Sequence, residues 1–222
     1  LIEDFNLSVK PGQRVAVVGP TGCGKTTLIN LLMRFYDVNS GTIKVSDIPL
    51  QQLTRKSLRD NYGMVLQETW LRSGSIRDNI AMGKPDATDE EMYEALETAQ
   101  AREFVDAKEG GLSYEIEQGG RNLSGGQRQR LTIARALVKK PQILIMDDSA
   151  SALDFATDAA LRKELREHFA ETTCVIIAQR ISSIMNSDQI MVLEDGQMIG
   201  YGTHQELMET CEIYREIGKS QM

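Results

Sequence analysis

Hydrophobic residues along the chain follow two patterns: short apolar runs, and segments in which apolar positions recur at helical spacing. Short runs are typical of strands buried in a sheet, and they occupy residues 15–18, 42–45, 62–66, 143–146, 173–178 and 189–193. Helical spacing covers residues 28–35, 54–60, 75–81, 88–99, 124–138 and 154–169. Because strands alternate with helices, the pattern predicts an α/β fold with a mostly parallel sheet covered on both faces.

Turn and capping signals refine these elements. Residues 194–197 carry a hairpin turn signal, and Thr-x-x-Glu sequences at Thr88 and Thr203 predict capped helix starts. A further helix is predicted from Ile181, and alternating apolar residues predict a strand over residues 1–9. Because that strand opens in mid-pattern and without a methionine, the sequence suggests a fragment of a longer protein.

The middle of the chain differs from its surroundings. From about residue 74 to residue 109 the spacing is helical, without an intervening strand signal. This stretch interrupts the alternation of strands and helices. The pattern therefore predicts a helical subdomain, residues 68–123, inserted into a core formed by residues 1–67 and 124–222.

A glycine-rich stretch between the first strand and the first helix matches G-x-x-x-x-G-K-[ST]. Its residues are Gly19, Pro20, Thr21, Gly22, Cys23, Gly24, Lys25, Thr26 and Thr27. Glycines let the backbone turn its N–H groups toward phosphate oxygens, and the following helix presents its positive end to the same anion. Lys25 adds a point charge near the outer phosphates, and the Thr26 hydroxyl can bind Mg²⁺. The complete motif predicts a nucleoside-triphosphate site rather than a chance glycine-rich loop.

A second element of this site is the apolar strand that ends at Asp147. A buried parallel strand ending in aspartate places the carboxylate at the carboxyl edge of the sheet, beside the phosphate loop. There it can hold the Mg²⁺ shell, although a helix-capping aspartate is the plain alternative. The phosphate loop upstream favours the metal role.

Ser124 opens the helix at residues 124–138 and is a natural N-cap. The following Gly125 and Gly126 keep side chains away, so that the helix N–H groups can face an anion. A serine followed by two glycines is a weak signal by itself, since it more often marks an ordinary turn.

Composition excludes some functions. The net charge of −7 and the lack of a basic stripe argue against nucleic acid as a partner. The three cysteines have no metal-like spacing and indicate reduced, cytosolic thiols. No apolar run approaches transmembrane length, so the chain itself is expected to be soluble.

The motifs together resemble the nucleotide-binding domain of an ABC transporter over essentially the whole chain. The resemblance rests on the order and spacing of the phosphate loop, Gln67, residues 123–130, the Asp147 strand and residues 151–154. Residues 67–71 and 79–81 resemble the exporter subclass. The resemblance implies a P-loop NTPase (RecA-like) core, an N-terminal antiparallel β subdomain and an inserted helical subdomain that ends at the signature motif.

The resemblance also implies the ligands, ATP and Mg²⁺, and the role of each motif. Thr26, Gln67 and Asp147 correspond to the metal-binding positions, Gln67 lying at the hinge of the helical subdomain. In this family the signature contacts the γ-phosphate of a nucleotide held by the other domain of a head-to-tail pair, and the D-loop lies across the same interface. The signature residues are Leu123, Ser124, Gly125, Gly126 and Gln127, and the D-loop residues are Ser151, Ala152, Leu153 and Asp154.

Two catalytic positions depart from the family pattern. The general base is normally a glutamate directly after the strand aspartate, and here it is Asp148. The switch histidine at the end of the next strand is replaced by Gln179. The shorter carboxylate is drawn back from the attacking water, and an amide cannot take up the protonated states of histidine. With an intact signature, these changes resemble the degenerate-site half of a heterodimeric exporter, whose own site hydrolyses ATP weakly.

The sequence thus predicts an ATPase domain that couples ATP binding and hydrolysis to export. We expect a second, non-identical nucleotide-binding domain as partner. We also expect an attached transmembrane domain that holds the chain at the cytoplasmic side of the cell membrane. The alternative is a soluble, non-transport ATPase of the same superfamily that acts as a switch on nucleic acid or the ribosome; the acidic charge and the exporter-like stretch count against it.

Overall fold

The computed structural model describes residues 2–149, 151–219 and 221. Two compact units are present: Leu1–Tyr62 with Thr173–Met222, and Gly63–Thr172. The strands are β1 (Arg14–Val18), β2 (Lys44–Val45), β3 (Ile48–Pro49), β4 (Tyr62–Val65), β5 (Gly74–Ser75), β6 (Glu115–Ile116), β7 (Ile143–Asp147), β8 (Thr173–Ile177), β9 (Gln189–Glu194) and β10 (Gln197–Gly202). The α-helices are α1 (Lys25–Leu32), α2 (Arg55–Asp60), α3 (Ile76–Ala81), α4 (Asp89–Thr98), α5 (Arg102–Asp106), α6 (Gly125–Leu137), α7 (Phe155–His168), α8 (His204–Thr210) and α9 (Glu212–Lys219).

Four strands of the first unit form a mostly parallel sheet in the order β10-β9-β1-β8. The central strand β1 pairs parallel with both β8 and β9, and β10 runs antiparallel to β9. All four β1 side chains from Val15 to Val18 are buried, as expected of a strand covered on both faces. The α/β class with a mostly parallel sheet and additional antiparallel strands is confirmed. The antiparallel pair of β2 and β3 adds a small hairpin to this unit.

The second unit contains the neighbouring strands β4 and β7 and a group of packed helices. Helices α3 and α4 both pack against α6, and α4 also packs against α7. Ile80, Leu96 and Ile133 are completely buried among these helices. The short antiparallel pair of β5 and β6 joins the two ends of this helical segment. The unit includes residues 68–123, and the finer subdomain boundary proposed from the sequence stays a prediction.

The capped helix starts predicted at Thr88 and Thr203 and the N-cap predicted at Ser124 are confirmed. Complete capping boxes begin α4 at Thr88, α6 at Ser124 and α8 at Thr203. In each, the hydroxyl accepts from the backbone N–H three residues later, and the side chain there accepts from the cap's own N–H. Thr54 and Asp154 also cap helices with their side-chain oxygens.

Two elements expected from the sequence are not formed by the described residues. None of the described residues 2–9 lies in a strand, since Asp4 has a left-handed backbone (φ 50°) that breaks the extended run. The helix expected from Ile181 is only a 3₁₀ turn over Ile181–Ser183. Ser183 N–H donates to the Arg180 carbonyl, an i→i+3 bond typical of a 3₁₀ turn. The two serines after Ile181 favour turns over helix.

The first helix is also shorter than predicted. It ends at Leu32, because Arg34 takes a left-handed conformation (φ 51°). The Arg34 guanidinium then donates to the carbonyls of Leu50 and Leu53, at 2.8 and 2.6 Å. In the part of the chain that the structure describes, no helix combines the length and apolarity needed to cross a bilayer.

Candidate functional site

The phosphate loop leads from β1 into α1 and wraps around the Lys25 ammonium. Lys25 Nζ donates to the carbonyl oxygens of Gly19 and Pro20, at 2.7 and 2.8 Å, and lies 3.6 Å from the Cys23 sulfur. The buried Cys23 side chain fills the inside of the loop. The carbonyls of the loop therefore hold the Lys25 ammonium inside the loop. The sequence analysis predicted this positive charge to bind the outer phosphates.

The end of the loop leaves the start of α1 open. Gly24, the N-cap residue, has a left-handed backbone (φ 110°) and supplies no side-chain hydrogen bond, and the first turn holds no acidic residue. The first N–H groups of a helix lack intrahelical partners and carry partial positive charge. An uncapped helix start beside a lysine suits a phosphate chain, so the loop fits the predicted nucleotide.

The turn between β9 and β10 packs against the phosphate loop. Gly196 N–H donates to the Cys23 carbonyl at 3.0 Å. A Cβ added to Gly19 would lie 2.1 Å from the Leu193 carbonyl oxygen, so this position admits only glycine. The sequence predicted the turn at residues 194–197 but gave no signal that it contacts the loop.

Gln179 lies at the same edge of the sheet as the phosphate loop. In the parallel pairing of β1 and β8, Val17 is the partner of Ile177. Gly19 and Gln179 each follow these partners by two residues, so both leave the carboxyl ends of neighbouring strands. The Gln179 side chain is exposed.

In the second unit, Gln67 and the end of β7 come together. Gln67 Nε2 lies 3.4 Å from Asp148 Oδ2, across 81 residues of sequence. Asp147 and Asp148 are half-buried, and Asp148 has a left-handed backbone (φ 43°), a conformation that aspartate adopts more readily than most residues. The predicted metal positions, with Thr26 on the first unit, offer hydroxyl, amide and carboxylate oxygens. Mg²⁺ prefers oxygen donors of this kind.

The signature residues begin α6 with the capping box described above. Ser124 Oγ accepts from Gln127 N–H at 3.2 Å, and Gln127 Oε1 accepts from Ser124 N–H at 3.1 Å. A hydroxyl has one donor and two acceptor sites, so capping leaves the Ser124 proton able to donate to an anion. Leu123 is buried and anchors the approach to this helix start.

The D-loop contacts the signature directly. A Cβ added to Gly126 would lie 3.2 Å from the Ala152 carbonyl oxygen, and Leu153 is buried beside it. Ser151 is exposed. Asp154 caps α7, and hydrogen bonds from the backbone and hydroxyl of Thr157 hold the pKa of its carboxyl below the usual value. The structure thus places the two motifs side by side within the second unit.

Arg130 ties the signature helix to the helical segment, a role that sequence reasoning missed. Its guanidinium donates to the Gln100 carbonyl at 2.6 Å and lies 4.8 Å from the centre of the Phe104 ring. A weaker bond reaches back to the Gly126 carbonyl at 3.3 Å. Burial lowers the pKa of this guanidinium. The arginine was visible in the sequence after the signature, but nothing indicated its partners.

Comparison with known proteins assigns the family. A family model described as ABC transporter matches residues 2–151. Over 220 residues the chain is 41% identical to the fatty acid ABC transporter ATP-binding/permease protein of Mycobacterium bovis, an alignment covering 99% of this chain and 35% of that protein. It is 44% identical over 220 residues to the beta-(1-->2)glucan export ATP-binding/permease protein of Bradyrhizobium diazoefficiens, covering 99% and 36%.

A solved structure supports the same assignment. The fold superposes with a TM-score of 0.90 on a bacterial Atm1-family ABC exporter with ATP bound, at 38% identity, covering 95% of this chain and 37% of that one. The chain therefore spans little more than a third of the length of these proteins. The family model covers most of the chain, and the relatives match nearly all of it. The chain belongs to the ABC transporter family.

Proposed function

We propose that this chain is the nucleotide-binding domain of an ABC exporter, in which ATP binding and hydrolysis drive transport by a membrane domain. The observation that carries the proposal is the phosphate loop, with Lys25 at its centre and the uncapped start of α1 at its end. The similar proteins named as ATP-binding/permease proteins support the membrane partner. They do not favour the alternative of a soluble switch on nucleic acid or the ribosome.

Each motif has a separate task in this proposal. The phosphate loop binds the triphosphate of ATP, with Thr26, Gln67 and Asp147 as the residues that would hold Mg²⁺. When bound, the ion neutralises phosphate charge during the reaction. Ser124 and the helix start behind it would donate to the γ-phosphate held by a second nucleotide-binding domain in a head-to-tail pair. The chain would then act at the cytoplasmic side of the membrane.

We further propose that the chain's own site is hydrolytically degenerate. Asp148 is one methylene shorter than the family's glutamate, and Gln179 replaces a group that can carry a proton. Either change alone is compatible with slow hydrolysis, since aspartate can still act as a base at reduced reach. Together they favour a site that holds ATP, paired with a non-identical partner domain whose own site performs the hydrolysis and uses this chain's signature.

Nucleotide binding tests the first proposal. In the intact protein, Lys25→Ala should weaken MgATP binding at this site by at least about tenfold, or about 1.4 kcal/mol, because it removes the charge inside the loop. The matched control is Lys44→Ala, which removes an exposed lysine from β2 of the same unit. Titration with labelled nucleotide measures both; equal affinities for the two variants would refute the assignment of the loop.

Steady-state ATPase measurements on the intact transporter test the degenerate site. Asp148→Ala should cost little activity, because the partner site performs most of the turnover. Asp148→Glu combined with Gln179→His should raise hydrolysis at this site, since it restores both the reach and the titratable group. A severe loss of ATPase activity in Asp148→Ala would mean that Asp148 acts as a catalytic base. It would refute the proposal that the chain's own site is degenerate.

A further inference from the structure

A glutamine at the carboxyl-terminal end of the described chain is bonded to the segment that carries Gln179. Gln221 Oε1 accepts from the Ile181 N–H at 2.8 Å, and Gln221 Nε2 donates to the Gln179 carbonyl at 2.5 Å. One side-chain amide thus holds two backbone groups, one on each side of Arg180. Both residues belong to the first unit. The bond joins residues that are 42 positions apart in the sequence.

The helix before Gln221 is itself fixed against this segment. A Cβ added to Gly218 on α9 would lie 3.3 Å from Ile181 Cδ1, so the end of the helix packs closely on the buried isoleucine. Gln221 N–H donates to the Gly218 carbonyl at 3.3 Å, which turns the chain back toward the segment. The Tyr214 hydroxyl, further back on α9, lies 2.8 Å from a ring nitrogen of His204 on α8.

The segment that Gln221 holds connects the end of β8 to the 3₁₀ turn at Ile181–Ser183. Ala178 N–H donates to the Val17 carbonyl at 3.4 Å, the last link to the sheet, and the 3₁₀ turn begins only at Ile181. The Arg180 carbonyl already accepts from Ser183 N–H in this turn, so Gln179 alone lies between the two anchors. The side chains of Gln179 and Arg180 are both exposed. The Gln179 carbonyl carbon and Cβ are bonded to the same Cα, so hydrogen bonds that fix the backbone of residues 179–181 also fix the point from which the side chain leaves the chain. The side chain then selects among its staggered rotamers from that fixed point.

We propose that Gln221 is a positioning residue for Gln179: it holds the backbone on both sides of Arg180 so that the Gln179 side chain faces the γ-phosphate of ATP on the phosphate loop. The inference rests on the proposed nucleotide site and adds to it a residue that lies outside the motifs found in the sequence. Since the proposal places the Gln179 side chain at the terminal phosphate, loss of this support should weaken ATP binding and leave ADP binding unchanged.

Nucleotide affinities of the intact protein test this inference. Gln221→Ala should weaken MgATP binding at this site about fivefold, the effect of losing about one net hydrogen bond, and should leave MgADP binding unchanged. Gln205→Ala, which truncates an exposed glutamine on α8, is the matched control and should change neither affinity. The melting temperature, followed in parallel, should fall for Gln221→Ala alone, because this variant loses the two bonds that the amide makes in the folded protein. The difference between MgATP and MgADP affinity then separates positioning from a merely structural role.

A double-mutant cycle tests whether Gln221 acts through Gln179. In a Gln179→Ala background, Gln221→Ala should have no further effect on MgATP affinity, since the side chain that it orients is gone. An additive loss, an equal loss for MgATP and MgADP, or no loss in either single variant would overturn the inference. These outcomes are separate from failure of the proposed function, which requires that Lys25→Ala leave ATP binding unchanged.

Discussion

Replacing Ser124 by alanine removes one hydroxyl with two separable effects. The first is the loss of the cap on α6, which typically costs about 1 kcal/mol of folding free energy. The second, under the proposed function, is the loss of a donor to a charged phosphate on the partner domain. A hydrogen bond to a charged group contributes about 1.5–3 kcal/mol, which corresponds to roughly tenfold to hundredfold in rate if the bond is made in the transition state. We therefore expect Ser124→Ala to reduce the ATPase rate of the intact transporter far more than the loss of folding free energy alone would explain.

The chain supplies a control that isolates the first effect. Thr88 forms a capping box with Glu91 at the start of α4, with its hydroxyl 3.2 Å from the Glu91 N–H, nearly the geometry found at Ser124. Thr88 lies on the helical segment and belongs to no nucleotide motif. Thr88→Ala should lower the melting temperature about as much as Ser124→Ala and leave the ATPase rate close to that of the unaltered protein.

The assay is steady-state phosphate release by the intact transporter at saturating MgATP, with thermal unfolding followed on the same preparations. The expected result is one large loss of rate, for Ser124→Ala, and two similar losses of stability. If both variants lose the same fraction of activity, or if Ser124→Ala loses stability alone, then the Ser124 hydroxyl does not contact the reacting nucleotide. In that case the signature would serve only as a helix cap.

Two further predictions concern packing and pH. Gly126→Ala should disturb the D-loop, because the added Cβ would lie 3.2 Å from the Ala152 carbonyl oxygen. Gly125→Ala is the control, since its Cβ would make only ordinary contacts at 4.0 Å. Fluorescence from a probe at position 152 should shift for Gly126→Ala and stay unchanged for Gly125→Ala. Burial raises the pKa of Tyr62 to about 12, above the ordinary value of about 10 for tyrosine. The folded state therefore holds this proton more tightly, and its contribution to stability is present below about pH 10 and lost as the pH rises toward 12. Tyr62→Phe should flatten the fall in melting temperature over that range, and an unchanged slope would contradict this.

The parts of the site that could be predicted from the sequence are those set by neighbouring residues. Gly24 and Lys25 lie within one short loop, so spacing alone indicated where the backbone turns and where the charge lies. The capping boxes were equally local, since each depends on two residues three positions apart. The end of β7 at Asp147 was recognisable because a fully apolar run stops there.

The missed features join residues that are far apart in the sequence. Gly196 supports Cys23 across more than 170 residues, and Arg130 reaches the Gln100 carbonyl over 30. Periodicity describes one element at a time, so it cannot indicate which turn or side chain will meet a distant loop. The wrong strand at residues 2–9 has a different origin: its alternation was real, but the left-handed backbone at Asp4 interrupts the extended conformation.

The distribution of the departures from the family pattern is itself an argument for a site that holds ATP. The phosphate loop retains every support, including Gly19, where any Cβ would meet the Leu193 carbonyl at 2.1 Å. The two departures that the proposal assigns to the chemical step, Asp148 and Gln179, follow β7 and β8 and lie outside the phosphate loop. A site that had lost its use altogether would have no reason to retain the demanding loop geometry and lose only the chemistry. Tight binding with slow hydrolysis would instead keep the two domains paired while the partner's site, completed by Ser124, turns over.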